Sequence, residues 1–469
     1  YRYNTMRISD EYREDFVEVF AKTFNEFKNH VIAACEEMGI TEYELYYCAS
    51  ESVSVETFRH EVSEFTASRD GGVCFRCIVG GKMGYASTED LSEAQAKTVV
   101  AKAADNAAVL ESKEMVFLGE GGQEYEPLET VAYELPGSDK LIGAALDVQE
   151  KLYAADPAVI DGCQSQGLIE SSEIAIYNSK GLNLHYQNSV TGLVASAVVS
   201  DGQEMENSFE VKLGKLDEID AAALAAKAVA KAKVKLGGQV APTGQYPVVF
   251  SPNAMCSLLG VYSGIFSSEA AQKGLSRLAE AEGEVIASEI VTLVDDPFHK
   301  DNPMPISFDA EGSPTHKKNV IEKGKLCTLL YNLKTAAVAG KRTTGNASKA
   351  GYDGTVAVRP FTLYLENGDI SEEELLKQVG NGVYITNLGG LHAGANPITG
   401  DFSLQSAGFM IEGGVKTKAV KSFTVAGNFY DLLKNVTALA NNCELPMAMG
   451  MTAFGSPSVR VDGLSIAGK

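Results

Sequence analysis

The chain has 469 residues, a hydrophobic fraction of 45% and a formal net charge of −22. This length predicts two or three domains, and the apolar content is ample for folded cores. The acidic balance, with no evident basic patch, excludes a nucleic-acid partner bound through its phosphates. No run approaches the ~20 apolar residues of a membrane helix, and the first residues lack a signal peptide's apolar core. We therefore expect a cytoplasmic protein without membrane contact.

The first half of the chain predicts an α+β fold in which a helix–strands–helix unit occurs twice. Apolar residues at helical or alternating spacing predict helices over 18–35 and 91–110, with strands at 44–48, 52–58 and 72–79 between them. A similar series follows about 120 residues later. Its predicted elements are helices over 140–155 and 218–236, and strands near 174–177, 182–186 and 191–199.

The second half predicts a β-rich, barrel-like domain. Short strand-like runs and Gly-rich turns dominate it, and helices are expected only after Pro252, near 371–379 and at 430–440. The predicted organisation is a first α+β lobe over 1–112, a linker over 113–137, a second α+β lobe over 138–238 and the β-rich domain over 245–469.

A dense run of glycine and turn residues covers 387–414 and excludes a regular element through most of its length. So many glycines indicate that the backbone comes close to a ligand or to another backbone. The run ends with Phe409 and Ile411 alternating before Gly413-Gly414, which predicts a strand that enters a hairpin.

This run and several other motifs resemble the TldD/PmbA family, also called TldD/TldE. The motifs follow the family's order over roughly the last half of the chain, and as a set they are specific. The resemblance implies a cytoplasmic metalloprotease that works as a heterodimer. The further motifs are Asp295-Asp-Pro297, Phe308-Asp-Ala-Glu-Gly312, Ile321-Glu-Lys-Gly-Lys-Leu326, Thr343-Thr-Gly-Asn-Ala347, Gly455-Ser-Pro457 and Leu464-Ser-Ile-Ala-Gly468.

The helix that corresponds to the family's metal helix lacks the zinc motif. In the TldD branch this helix carries His-Glu-x-x-x-His, and a cysteine near the C-terminus adds a ligand, a set that suits catalytic zinc. Here the helix after Ser251 runs through 254–264 without histidine or glutamate. The chain thus resembles the TldE/PmbA branch. We expect no catalytic residue, metal ligand or cofactor in it, and zinc in a TldD-like partner.

The other possible metal or redox residues favour structural roles. His60-Glu61 follows an extended pattern, and neighbours on a strand point to opposite faces and cannot chelate together. Cys74-Phe-Arg-Cys77 lies in a strand-like run, which favours buried thiols over redox chemistry. Cys443 lies about where the TldD branch has its ligand cysteine, and we interpret it as a relic or an ordinary thiol. We predict that Met255, Leu258 and Leu259 fill the vacated metal site.

Seven polar residues are candidates for the wall of a substrate cleft. They could hold an extended peptide beside the Gly-rich loop, or they could hydrogen-bond their own loop. A serine-hydrolase triad of His392, Asp401 and Ser403 or Ser406 is disfavoured because no G-x-S-x-G elbow is present. The run 343–347 predicts a surface turn. The cleft candidates are Asp309 and Glu311, which share a face if their segment is a strand, and His392, Asn396, Thr399, Asp401 and Ser403.

The favoured function is a non-catalytic TldE/PmbA-like subunit that pairs with a TldD-like zinc subunit. The complex would act on unfolded peptides, in peptide maturation or proteolysis. One alternative is a metallopeptidase in its own right, with ligands from scattered residues such as His60, His392 and Cys443. Another is a peptide-binding homodimer. The sequence leaves open the natural substrate, the partner's identity and any connection with DNA gyrase, which some family names suggest.

Overall fold

The computed structural model describes residues 11–128, 135–446 and 452–468, without the side chains of 11–22. The ends of the predicted first lobe and C-terminal domain (1–10 and 469), part of the predicted linker (129–134) and 447–451 lie outside the described residues. The structure confirms the α+β class with a barrel in the C-terminal half. Each helix in the described ranges is too short or too polar to span a membrane.

The two predicted N-terminal units share one antiparallel sheet of six strands, in the order β3-β2-β1-β4-β5-β6. They meet along β1 and β4, which pair from Glu44 opposite Asn178 to Phe58 opposite Gln164. The strands are β1 (Tyr43–Phe58), β2 (Glu61–Val79), β3 (Lys82–Thr88), β4 (Gln164–Asn178), β5 (Asn183–Ser200) and β6 (Met205–Leu213).

These strands are longer than the sequence predicts. The two runs predicted at 44–48 and 52–58 form the single strand β1, because residues 49–51 stay paired with both β2 and β4. Strand β2 begins at Glu61, well before the predicted residue 72. Its residues 61–70 are exposed on both faces, so no apolar alternation marks them as a strand.

The expectation that His60 lies on a strand is wrong. Arg59 and His60 form the turn between β1 and β2, with φ angles of 51° and 64°. The His60 amide donates to Oε1 of Gln149, and its ring packs 4.6 Å from that of Tyr153, measured between centroids. His60 is thus a turn residue held by the neighbouring helix.

Four helices cover one face of the N-terminal sheet. Two pack over β1 and β2 and two over β4 and β5, which gives each half its own apolar cluster. Helix α4 is shorter than predicted because the Asp220 side chain caps it by accepting from the Ala223 amide. The helices are α1 (Glu11–Met38), α2 (Glu93–Val109), α3 (Ser138–Ala155) and α4 (Ala221–Lys233).

A closed five-stranded barrel forms the core of the C-terminal domain. Its strands follow the order β20-β8-β15-β16-β17, and pairing of β17 with β20 closes it. The predicted hairpin at Gly413-Gly414 joins β16 to β17, and both glycines have positive φ. The barrel strands are β8 (Gly244–Phe250), β15 (Gly382–Gly389), β16 (Asp401–Glu412), β17 (Val415–Asn428) and β20 (Val459–Ala467), with β7 (Gln239–Val240) and β18 (Val436–Leu439) at its margins.

A second sheet, in the order β11-β10-β9-β14-β19, packs beside the barrel and has β19 at one edge. Its strands are β9 (Leu293–Asp295), β10 (Lys318–Glu322), β11 (Lys325–Leu326), β14 (Thr362–Leu365) and β19 (Ala453–Gly455). A separate short pair is formed by β12 (Ala347–Ser348) and β13 (Ala357–Val358).

The helix predicted at 430–440 is correct only in its first half. Residues 436–439 form β18, which pairs with β20, and a short apolar run does not distinguish strand from helix. The helices of this domain are α5 (Pro252–Tyr262), α6 (Ser268–Gln272), α7 (Leu333–Ala339), α8 (Glu372–Val379), α9 (Leu391–Gly394) and α10 (Phe429–Lys434).

A buried ion network joins the N-terminal sheet to the C-terminal domain. Glu44 on β1 lies directly opposite Arg76 on β2, and Arg76 Nε donates to Glu44 Oε1 at 2.8 Å. Glu311 of the C-terminal domain approaches the same guanidinium, with 3.9 Å between Oε1 and Nη1. All three side chains are at most 6% exposed. Burial would lower the pKa of Arg76, but the charges of Glu44 and Glu311 raise it, so the guanidinium stays protonated.

Asp309 and Glu311 lie in a tight turn and not in a strand. The prediction that they share one face of a strand therefore does not apply. The Gly312 amide donates to the Asp309 carbonyl. Asp309 Oδ1 accepts from the amides of Glu311 and Ser313, and Oδ2 accepts from that of Ala347, each at 2.9 Å. Burial and then the charge of Glu311 raise the pKa of Asp309 to about 7, against the lowering effect of these amides.

We expect Arg76→Met to destabilise the chain by about 3–5 kcal/mol, because Glu44 would remain as a buried, uncompensated charge. Urea unfolding at pH 7, followed by circular dichroism, measures this change. The matched control is Lys140→Met, which removes the exposed ion pair with Asp217 and should cost less than about 1 kcal/mol. Equal costs for the two variants would contradict the structural role of the network.

We also expect Asp309 to make stability fall as pH rises. The pKa of Asp309 in the folded state, about 7, lies above the usual 3.8, so the folded state binds more protons than the unfolded state. The stability that Asp309 contributes is therefore lost as pH rises through 7. Thermal midpoints at pH 5 and pH 8 should show a smaller decrease in Asp309→Asn than in the wild type. Asp401→Asn is the control, because hydrogen bonds to Asn428 and Thr399 lower the pKa of Asp401 and keep it ionised throughout this range. An unchanged decrease in Asp309→Asn would refute the assignment.

Candidate functional site

An open groove of about 770 Å³ runs along the C-terminal end of α5. This volume is within the range of ligand clefts in proteins. We call it the α5 groove and define it by its lining segments. These are 260–264 at the end of α5 and in the following turn, 267–275 around α6, 358–360 after β13, and 452–454 at β19.

Helix α5 uses its side chains mainly for packing. Ser251 caps it and Pro252 occupies its first turn. Met255, Leu258 and Leu259 are fully buried in the core of the C-terminal domain. That they occupy a vacated metal position stays a prediction.

The α5 groove therefore meets a face of α5 that is nearly free of side-chain bulk. A Cβ atom added to Gly264 would meet no atom within 4 Å, and one added to Gly260 would meet only the Phe454 ring, 3.6 Å away. These glycines leave room for a ligand along the helix end.

The opposite wall is the short strand β19, which pairs with β14. On the other side of the strand, Ser456 exchanges two backbone hydrogen bonds with Glu444, and Leu445 lies against Gly455. Two side-chain contacts fix this wall. Cys256 Sγ on α5 lies 3.3 Å from the Phe454 carbonyl, and the Thr452 hydroxyl donates to the Pro360 carbonyl at 2.7 Å.

Arg359 extends from a backbone that is held on both sides. Its amide donates to the carbonyl of Asn346, and Asn346 Nδ2 donates to the Arg359 carbonyl at 3.0 Å. Asn346 is fully buried, and its Nδ2 also donates to Asp295 Oδ2 at 2.7 Å. The prediction of a surface turn over 343–347 is therefore wrong at Asn346.

The seven predicted cleft residues do not form one site. Asp309 and Glu311 are 2% and 4% exposed, inside the domain junction. His392, Asn396, Asp401 and Ser403 are exposed and Thr399 is half-buried, all in the Gly-rich loop or at the start of β16. Across the described ranges, no hydrogen bond or ion pair joins the two groups.

Within the Gly-rich loop, polar side chains bond to the loop itself or to its neighbour. Asn396 Oδ1 accepts from the amides of Ile398 and Thr399, and Asp401 Oδ1 accepts from Asn428 Nδ2 at 2.9 Å. These contacts support the reading in which the residues stabilise their own loop. The Asp401 carboxylate is thus bonded to Asn428, which agrees with the absence of a G-x-S-x-G elbow in disfavouring a triad.

The close-approach role of the glycines is clearest at Gly400. This residue has a φ of 82°, and a Cβ atom there would lie 2.6 Å from the Tyr430 ring. The loop also contacts α5, because the Tyr262 hydroxyl donates to the Asp401 carbonyl at 2.9 Å. Since Tyr262 lies between the groove residues Val261 and Ser263, the loop and the α5 groove flank the same helix end.

The residues present do not fit a zinc ion. Cys256 is the residue of α5 whose side chain is a common zinc ligand. Burial, and to a smaller extent the neighbouring Cys443, raises the pKa of its thiol. Burial likewise raises the pKa of Cys443 to about 11, so its thiol stays protonated near neutral pH. Within the described part of the chain, no group of three or more His, Cys, Asp or Glu side chains is placed to hold a metal ion.

The other cysteine prediction is confirmed. Cys74 and Cys77 both lie on β2, and an odd separation of three residues places them on opposite faces of the sheet. Cys77 packs under the helices, whereas Cys74 faces the C-terminal domain. They therefore belong to different apolar clusters and do not form a redox pair.

Sequence reasoning missed the α5 groove as a site. Its segments are far apart in the chain, and Arg359-Pro360 matches no motif of known chemistry. The one available signal was the pair Gly260 and Gly264 in a helix that is otherwise apolar, because glycine inside a helix costs stability and often has a packing or functional reason.

Three family models match the chain. They are described as PmbA/TldA metallopeptidase domain 1 (residues 43–108), central domain (134–236) and C-terminal domain (243–468). A metalloprotease of Methanothermobacter thermautotrophicus is 29% identical over 434 residues, which cover 87% of this chain and 91% of that protein. The metalloprotease PmbA homolog of Haemophilus influenzae is 25% identical over 407 residues, covering 84% and 86%.

Solved structures agree with these matches. A Thermotoga maritima protein, described as a candidate modulator of DNA gyrase, superposes with a TM-score of 0.86 and 29% identity over 95% of this chain and 100% of its own. TldE of Thermococcus kodakarensis has the same fold, with a TM-score of 0.84 at 24% identity, over 94% of this chain and 99% of its own. The protein belongs to the PmbA/TldD family of metallopeptidase-like proteins.

Proposed function

We propose that this chain is a non-catalytic, TldE-like subunit of a TldD/TldE-type metalloprotease. It pairs with a TldD-like zinc subunit and helps present unfolded peptides for cleavage, in peptide maturation or in proteolysis. The zinc and the catalytic residues belong to the partner. This chain contributes binding surface.

The observation that carries this proposal is the composition of α5. Apart from Cys256 and Tyr262, its buried side chains are apolar, and its groove side presents Gly260, Val261, Ser263 and Gly264. Burial raises the pKa of the Cys256 thiol, and the Tyr262 hydroxyl donates to the Asp401 carbonyl. The helix has neither the histidines nor the glutamate of a catalytic zinc site. A helix built in this way supports a binding wall and not a hydrolytic centre.

The α5 groove supports a role in peptide binding. Its open space of about 770 Å³ can hold a short peptide segment. Val261, Leu275 and Phe454 provide apolar surface for side chains of the peptide. Apolar contacts of this kind require no exact sequence, which suits unfolded substrates.

A cytoplasmic location is part of the same proposal. All eight cysteines are free thiols, and five of them are buried. Free thiols persist in a reducing compartment.

Purified alone, the chain should contain almost no zinc and should not cleave an unfolded peptide. Adding the TldD-like subunit of the same organism should produce cleavage that a chelator abolishes, because the partner supplies the metal. Elemental analysis and a quenched-fluorophore peptide assay measure both properties, with the partner alone as control. Stoichiometric zinc and chelator-sensitive cleavage by the isolated chain would instead establish an independent metallopeptidase.

Gly264→Phe should weaken binding of an unfolded peptide by at least about tenfold, or ~1.4 kcal/mol, because the ring would fill the α5 groove. A Cβ atom added at Gly264 would meet no atom within 4 Å. Fluorescence anisotropy of a labelled, uncharged, C-terminally amidated peptide measures the affinity. Gly143→Phe is the matched control, since Gly143 is exposed, has equal space and lies on α3, away from the groove. Equal affinity of the two variants would remove peptide binding from the α5 groove.

A further inference from the structure

We propose that the TldD-like subunit docks on the outward side of β6, in the N-terminal sheet. We call the side of this sheet that α1, α2, α3 and α4 leave uncovered the open face. The docking surface that β6 presents on the open face consists of Met205, Phe209 and Val211. This inference rests on the proposed function, because it locates the contact with the partner that the function requires.

The first support is the reversed polarity of β6, which is the edge strand beside β5. An antiparallel strand covered on one face by helices normally turns its apolar side towards them and its polar side towards water. In β6 the polar side lies towards the helices, so the apolar side points outwards. The β5 residues that pack under α3 and α4 are Leu193, Ala195, Ala197 and Val199, and the β6 residues paired with them are Lys212, Glu210, Ser208 and Glu206.

The second support is that contacts with α4 fix this orientation. Glu210 forms ion pairs with Lys227 and Lys231 of α4, and its side chain is only 13% exposed. A slip of one residue would turn every β6 side chain to the opposite face and break both ion pairs. The outward direction of Phe209 is therefore set by the fold.

The third support is the exposure of this apolar side. Met205 and Phe209 are 68% and 54% exposed, and Val211 is half-buried. The C-terminal domain covers a different end of the open face, where Phe308 packs in one cluster with Tyr46 of β1. An exposed apolar patch that contains an aromatic ring and a methionine has the composition of a protein–protein interface.

Charge decides which chain covers the patch. Beyond the end covered by the C-terminal domain, the strand positions of the open face carry carboxylates and no Lys or Arg. Glu56 lies directly opposite Glu64, an arrangement of like charges that is unfavourable in the isolated chain. The carboxylates are Glu56, Glu61, Glu64, Asp70 and Glu170.

A second copy of this chain would bring the same carboxylates to the contact and would be repelled. The net charge of −22 adds to that repulsion. The open face instead suits a different chain, with an apolar centre and Lys or Arg around it. We assign that surface to the TldD-like subunit.

Phe209→Lys should weaken binding of the TldD-like subunit of the same organism by at least about tenfold, because it places a charge in the apolar centre of the contact. Biolayer interferometry with the full chain measures the affinity. Phe65→Lys is the matched control. Phe65 is also an exposed phenylalanine of the N-terminal sheet, at 42%, but it lies opposite Val55 on the side of the helices. Thermal unfolding verifies that both variants are folded.

The charge argument has its own test. Replacing Glu56 and Glu64 together by glutamine should slow association with the TldD-like subunit, because it removes attraction for a basic surface. Glu51→Gln is the control, since Glu51 is on β1 but on the opposite face of the sheet. The wild-type affinity should also fall as salt rises. An affinity that does not depend on salt would overturn the charge complementarity.

The outcomes separate this inference from the proposed function. If Phe209→Lys and Phe65→Lys bind the TldD-like subunit equally well, the docking surface is overturned while the proposed pairing stands. If the wild type does not bind that subunit, the proposed function loses its partner and the docking surface fails with it. Analytical ultracentrifugation of the chain alone tests the second copy, because a dimer that Phe209→Lys dissociates would overturn the assignment to a TldD-like subunit.

Discussion

The buried carboxylate of Asp295 organises the part of the C-terminal domain that shapes the groove. It pairs with Lys318 at 3.1 Å, accepts from Asn346 at 2.7 Å, and accepts two backbone amides at the start of β14, those of Phe361 and Thr362. One fully buried charge thus connects β9, β10, β14 and the segment that carries Arg359. Because an unpaired charge in this position would be costly, these four partners must be in place together.

A second buried charge network connects the N-terminal sheet to the C-terminal domain. Glu44 and Arg76 lie opposite each other in the N-terminal sheet, and Glu311 meets them from the C-terminal domain. The linker adds to the same junction, since the Tyr125 hydroxyl donates to the Gly312 carbonyl at 2.8 Å. Buried ion pairs contribute little net stability compared with apolar packing, but they tolerate few alternative arrangements. We therefore regard this network as a determinant of how the two domains fit together.

Helix α5 connects the fold to the proposed function, because one part of it packs in the core and its end lines the groove. Met255, Leu258 and Leu259 pack in the core, whereas Gly260 and Gly264 leave space beside the end of the helix. In the proposed function the groove at this helix end binds peptide, and the zinc chemistry comes from another subunit.

The sequence alone determined the family, the α+β class, the buried Cys74 and Cys77, and the hairpin at Gly413-Gly414. These features depend on local patterns, namely ordered motifs, the alternation of apolar residues and the glycine requirement of a tight turn. Where local signals were ambiguous, the predictions failed: residues 436–439 pair with a distant strand, and residues 61–70 are exposed on both faces.

The tertiary structure alone decided the site. Asp309 and Glu311 have the composition of a cleft pair, yet a turn and the approach of Arg76 bury them in a domain junction. The α5 groove assembles segments that are far apart in the chain, and no segment carries a recognisable motif. The groove residue Arg359 takes its position because the buried Asn346 and Asp295 hold its backbone. Contacts of this kind depend on the packing of distant elements, which spacing along a sequence does not encode.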